Sequence, residues 1–112
     1  MQITILDDAG STARIVLNGK LDISGAEKIA LPLATLAGGK RALVVDMTAV
    51  TFLASIGIRH LVMASKALAR RGGRLVLLNP NALVTDVLTG SGVVELMAIA
   101  RSDAEAAAAL GA

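Results

Sequence analysis

The sequence predicts a single α/β domain over residues 1–112, with a mixed β-sheet of four to five strands and about four helices. Three observations predict it. Ala42-Leu43-Val44-Val45 and Leu75-Val76-Leu77-Leu78 are continuous apolar runs without alternation, the pattern of strands buried on both faces. Segments with helical periodicity separate and follow them. Two short β-prone runs near the start flank a polar connection of hairpin type.

Taken in order, Ile3 to Leu6 and Ala13 to Leu17 are the β-prone runs, joined through Asp7-Asp8-Ala9-Gly10-Ser11, and they are expected to pair. The first helix places Ala26, Ile29, Ala30, Leu33, Leu36 and Ala37 on one face. Ser24 and Glu27 read as a capping box at its start. Pro32 removes a hydrogen bond and crowds the preceding turn, so a kink or break is expected near Leu31. The apolar runs 42–45 and 75–78 should be the central strands. Between them, Ile58, Leu61, Val62, Ser65, Leu68 and Ala69 form one helical face, and Gly72-Gly73 ends that helix. A third helix is expected from Asn79 as N-cap with Pro80 at the first helical position, burying Leu83, Val84, Val87 and Leu88 and stopping at Gly90. A short strand near Met97 to Ile99 and a last helix capped by Ser102, with Glu105 as its partner, complete the order.

Composition narrows the function classes. With 54% hydrophobic and 18% charged residues the chain can bury a sizeable core, which argues against disorder. It has no Cys, so disulfides, thiolate catalysis and cysteine metal sites are excluded. Charges at Lys28, Lys40, Asp46, Arg59, Lys66 and Asp86 interrupt every stretch that could approach the roughly 20 apolar residues of a membrane span. Met1-Gln2-Ile3-Thr4-Ile5 has no basic n-region, and a cytoplasmic protein without membrane insertion is expected. The formal charge of +2 is too small for non-specific nucleic-acid binding, and Phe52 is the only aromatic side chain for base stacking. Lys66, Arg70, Arg71 and Arg74 read as a solvated helix terminus complementing the negative end of the dipole.

Several chemistries fail on spacing. His60 is the only imidazole and no Asp/Glu cluster has ligand spacing, so neither a metal nor a cofactor is expected. A phosphate loop would need glycine where Ala34 stands and a hydroxyl where Arg41 follows Lys40. Gly90-Ser91-Gly92 reads as a turn, without the third glycine of a dinucleotide fingerprint. Ser55 and His60 are about 140° apart on a helix of roughly 3.6 residues per turn, and Ser55 lacks a G-x-S-x-G setting. No enzymatic activity is expected.

The informative segment is Val44 to Arg59, which joins a buried strand to an amphipathic helix through one short connection. Ser55 falls where that helix should begin. Its hydroxyl can cap a backbone N–H, and the same amides and dipole would accommodate a phosphate on it. Gly57 would let a partner or phosphate approach the backbone closely.

Two motifs here resemble the STAS family, the sulfate transporter and anti-sigma factor antagonist domain. Gly19-Lys20-Leu21-Asp22 is similar to the family's Gly-x-Leu-Asp before the first helix. Val45-Asp46 followed by Phe52-Leu53-Ala54-Ser55-Ile56-Gly57-Ile58 is similar to its strand, Asp, and later Asp-Ser-Ser/Thr-Gly-Leu. The order of elements agrees across nearly the whole chain. The resemblance implies a bacterial anti-sigma factor antagonist: a serine phosphorylated by an anti-sigma factor that is also a kinase, restored by a serine phosphatase, with the unmodified form sequestering the anti-sigma factor and freeing a sigma factor. By position, Ser55 is then the phosphoacceptor, and Asp22, Ser24, Ala54, Ile56, Gly57, Ile58 and Arg59 form the partner-binding region, in a monomer or weak dimer. Ala54 replaces the family's usual Asp, and Ile56 its usual Ser or Thr. The alternative is a STAS accessory subunit of a membrane lipid transporter, without phosphorylation.

Overall fold

A computed structural model describes residues 1–7 and 10–111; Asp8 and Ala9 of the expected hairpin connection lie outside the described residues. The strands are β1 (Gln2–Asp7), β2 (Thr12–Leu21), β3 (Ala42–Leu53), β4 (Arg74–Leu78) and β5 (Ala98–Ala100). The helices are α1 (Ile23–Gly39), α2 (Ser55–Ala69), α3 (Ala82–Gly90) and α4 (Asp103–Ala109), with a 3-10 turn at Val93–Glu95. The sheet order is β1-β2-β3-β4-β5, antiparallel between β1 and β2 and parallel thereafter.

Register follows from side-chain alternation. Ile5, Ile15, Val45, Leu77 and Ile99 form one rung across all five strands. With Leu17, Leu43 and Leu75 this face packs on Ile29 and Leu33 of α1, Leu61 and Leu68 of α2, and Val84 and Leu88 of α3. The opposite face buries Val44, Val76, Leu78 and Ala100 against Ala106 of α4. That two-sided burial explains why β3 and β4 read as unbroken apolar runs.

β3 is longer than its apolar run. Asp46 Oδ1 accepts from the Thr48 amide at 3.0 Å and from its hydroxyl at 2.6 Å. The register with β2 slips between Val16 and Asn18, and pairing resumes to Leu21↔Leu53. The segment expected to be a connection is therefore mostly strand, and an internal irregularity had masked its alternation.

Helix starts account for other differences. α1 begins before Ser24, and its N-cap is Asp22, whose Oδ1 accepts from the Gly25 amide at 2.9 Å. The Ser24/Glu27 box does not form, because Asp is as good a cap and comes first. α1 passes through Pro32 unbroken. The carbonyl deprived of its donor belongs to exposed Lys28, and Ile29, Leu33, Leu36 and Ala37 hold both halves of the helix on the core. α3 is capped by Asn81, whose side chain accepts from Val84 N at 2.8 Å and donates to Val50 O at 3.1 Å. Asn79 turns the chain at φ 51 instead, and Leu83 is exposed. Ser102 caps α4 as expected, accepting from Glu105 N at 3.2 Å.

The basic residues at the end of α2 are not all solvated. Arg71 Nη1 donates to Ala37 O at 2.7 Å and to Lys40 O at 2.9 Å, closing the end of α1, and Arg74 Nη1 reaches Ala109 O at 3.3 Å at the end of α4. Gly73 is obligatory for packing, since a Cβ there would strike the Arg41 carbonyl.

Asp22→Ala removes the only side-chain cap of α1 and is expected to destabilise the fold by about 1 kcal/mol, with Asp22→Asn close to wild type. Urea denaturation midpoints compared at fixed m-value check this.

Candidate functional site

The end of β2 and the end of β3 lie side by side, Lys20 opposite Phe52 and Leu21 opposite Leu53. The Ala54 amide donates to Leu21 O at 2.9 Å, extending the ladder by one bond to the start of α2. The two sequence motifs thereby become one surface. An open groove of about 580 Å³ runs between them, lined by Asp22, Ile23, Ser24, Glu27, Phe52 and Ala54. Its apolar walls are unusual for a surface: Ile23 is 70% exposed and Phe52 46%.

Ser55 is exposed beside this groove, but not as a cap. The N-cap is Ala54, in extended conformation and with no side-chain hydrogen bond, and Ser55 is the first residue of α2. α1, α3 and α4 are each capped by a side chain, and α2 is not. The first backbone bond of α2 runs from Ile58 N to Ala54 O at 3.2 Å, which leaves the amides of Ser55, Ile56 and Gly57 at the start of the helix. The Ser55 hydroxyl has no hydrogen-bond partner among the described residues. It is therefore available for reaction with no structural bond to break.

The remaining expected contact residues divide. Arg59 is exposed and Ile56 half-buried, and both can meet a partner. Ile58 is 8% exposed and belongs to the core. Gly57 is also buried, and a Cβ on it would lie 2.6 Å from Leu21 Cγ. Its bare Cα receives Leu21, so the glycine serves packing inside the chain and does not open the backbone to a partner. Gly57 and Ile58 are thereby moved from the expected contact region to the interior, where the helical period had already placed Ile58 beside Leu61. His60 is half-buried on α2. Ile23 and Phe52 were missed as site residues. The signal for Ile23 was present, because it is a large apolar residue outside the buried period of its own helix.

Among the described residues no group of three or more His, Asp or Glu could hold a metal ion, and no helix is long and apolar enough to cross a membrane.

Comparison with known proteins gives the family and the fold. A family model described as STAS domain matches residues 5–106. A protein of Bordetella bronchiseptica, named as the anti-sigma factor antagonist BtrV, is 31% identical over 94 residues, covering 83% of this chain and 81% of the relative. Among solved structures, SpoIIAA in its unphosphorylated form aligns with a TM-score of 0.83 at 24% identity, over 98% of this chain and 96% of that one. The phosphorylated form of the Bacillus cell fate determinant SpoIIAA aligns at 0.74 and 24%, over 96% and 98%. At these identities the structural likeness is one of fold.

Ala54→Asp supplies the missing cap at a residue already in cap conformation, and is expected to stabilise the chain by roughly 0.5–2 kcal/mol. Thermal unfolding should move up by about 4 °C for each 1 kcal/mol gained. Gly57→Ala should act in the opposite direction, losing about 1–3 kcal/mol as Leu21 is displaced, read from the same melts.

Proposed function

The chain belongs to the STAS domain family, and on that premise we propose that it is a cytoplasmic anti-sigma factor antagonist, a non-enzymatic binding switch controlled by reversible phosphorylation of Ser55. The unmodified form binds an anti-sigma factor that is also a serine kinase, and so frees a sigma factor. Phosphorylation releases the partner, and a serine phosphatase resets the switch. One observation carries the reading: Ser55 stands exposed at the first turn of α2, beside an apolar groove made from both motifs.

Magnitudes say how the switch works. A phosphate adds about −1.5 to −2 charges. An anion at the first turn of a helix is stabilising by about 0.3–1 kcal/mol, so the fold tolerates it. Moving a complex from nearly all bound to nearly all free needs about 5.5 kcal/mol. The remainder comes from the interface: a partner covering Ile23, Phe52 and Ile56 would have to strip water from a dianion at their edge. Ala54 favours that arrangement, because an aspartate there would already put a negative charge beside the acceptor.

Protein isolated from its native cell should lose one phosphate on phosphatase treatment, read by intact mass, and Ser55→Ala should abolish that difference. Ser55→Asp should keep the melting behaviour of the wild type while binding the anti-sigma factor at least about tenfold more weakly, roughly 1.4 kcal/mol, by calorimetric titration. Equal affinities with both proteins folded would overturn the switch.

A further inference from the structure

The end of the sheet opposite Ser55 carries a concentration of basic charge. Thr12, Ala42 and Arg74 open β2, β3 and β4 in register there, and α1, α2 and α4 finish there. Lys40, Arg41, Lys66, Arg70, Arg71 and Arg74 gather at this end, six of the chain's 11 basic residues. Among the described residues, the carboxylates nearby are Asp7, which holds Lys40 at 2.6 Å, and Glu95 in the 3-10 turn before β5. Helix termini account for part of the cluster, since Arg71 and Arg74 donate to the ends of α1 and α4. They do not account for Arg41, Lys66 and Arg70, which are exposed and make no side-chain hydrogen bond or ion pair among the described residues. Between Arg41 and Arg74 lies a groove of about 560 Å³, lined on its other sides by Thr12, Gly73, Ala107 and Leu110.

We propose that this basic end is a docking surface for an acidic, Asp/Glu-rich segment of a partner protein. Charge complementarity selects an anion, and four of the six cations are arginines, whose planar guanidinium groups bind carboxylates through paired hydrogen bonds. Arg74 uses one donor internally and retains others. A bilayer is disfavoured, because Leu110, the one large apolar residue lining this groove, is half-buried against the cluster under α4, and none of the large exposed apolar side chains (Ile23, Leu31, Phe52 and Met63 among them) lines it to serve as an anchor. A nucleic acid is disfavoured too, because Phe52, the only Phe, Tyr or Trp side chain, sits at the opposite end. Binding here leaves the Ser55 face uncovered, so both ends can be occupied at once.

The test uses a labelled deca-glutamate peptide titrated with the full chain at low ionic strength, with fluorescence anisotropy as readout. Phosphatidylserine vesicles and an oligothymidylate of equal charge serve as competing probes. The triple variant R41Q/K66Q/R70Q spares the two helix-closing arginines and should keep its circular dichroism and melting curve while binding the peptide at least about tenfold more weakly. K20Q/K28Q, which removes cations elsewhere, and Ser55→Asp should bind it like the wild type. No binding by the wild type, undiminished binding by the triple variant, or tighter binding of vesicles or oligothymidylate than of the peptide would each overturn the proposal. Because Ser55→Asp is expected to be silent here, failure of this proposal is distinguishable from failure of the phosphorylation switch.

Discussion

The contact on which the candidate site depends is Leu21 seated in the space that a side chain on Gly57 would fill. It is a packing constraint with a directional consequence. Leu21 is the last residue of β2 and its carbonyl accepts the Ala54 amide, so one residue fixes both the height and the angle at which α2 leaves β3. Asp22, next in sequence, starts α1 in the same place. The ends of two strands and the starts of two helices are thus locked by one leucine, one glycine and one backbone bond. Ser55, Ile23 and Phe52 have fixed relative positions because of it, and a docking surface built on such a junction needs little ordering when a partner arrives.

The four helices treat their amino ends differently, and the difference falls where function is proposed. Asp22, Asn81 and Ser102 each accept a backbone amide hydrogen bond at the start of their helices. Alanine holds the equivalent place before α2. Local stability is forgone there, and the electrostatic field of the helix reaches the exposed hydroxyl without an intervening carboxylate. At the carboxyl ends the economy reverses. Arginines from α2's exit and the start of β4 close neighbouring helices, so cations that look like generic helix-terminal decoration in the sequence are cross-links between elements.

Most of the fold was legible because its signals are strong and local. Apolar runs without alternation marked β3 and β4, periodicity marked the buried faces of α1 and α2, and Ser102 with Glu105 marked α4. What escaped were choices among neighbouring candidates. Asp22 and Ser24 are both good caps two residues apart, as are Asn79 and Asn81; the first choice is made locally, Asp22 accepting from the Gly25 amide, and the second has a tertiary contact behind it, the bond from Asn81 to Val50 O. Pro32 misled because propensity is a single-helix argument and α1 is held by its core face. At the site, the sequence located Ser55 and its neighbours, and helical phase already set Ile58 on the face of Leu61 and Leu68; only its place in the motif assigned it to the contact region. Ile56 and Ile58 are the same residue type two positions apart, and helical phase turns one toward solvent and the other into the core. Gly57 illustrates the limit, since a glycine that admits a partner and one that admits a leucine of its own chain are spelled alike.

The two faces of the sheet are unequally protected. Three helices cover one; the other relies on α4, a seven-residue helix whose one fully buried residue is Ala106, with Ala109 and the following Leu110 packed at its margin. A helix that short does not persist in isolation. It is retained by the Ser102 cap, the 3.0 Å pair between Arg14 and Asp103, and the Arg74 bond to Ala109 O. The carboxyl-terminal segment is therefore the natural first unit of sub-global opening, detaching while the β2–β3–β4 centre stays closed and uncovering Val44, Val76 and Leu78 as it goes. Amide exchange in residues 103–109 would then run through a separate, cheaper route than in the rest of the protein, giving this small domain two tiers of cooperativity instead of one.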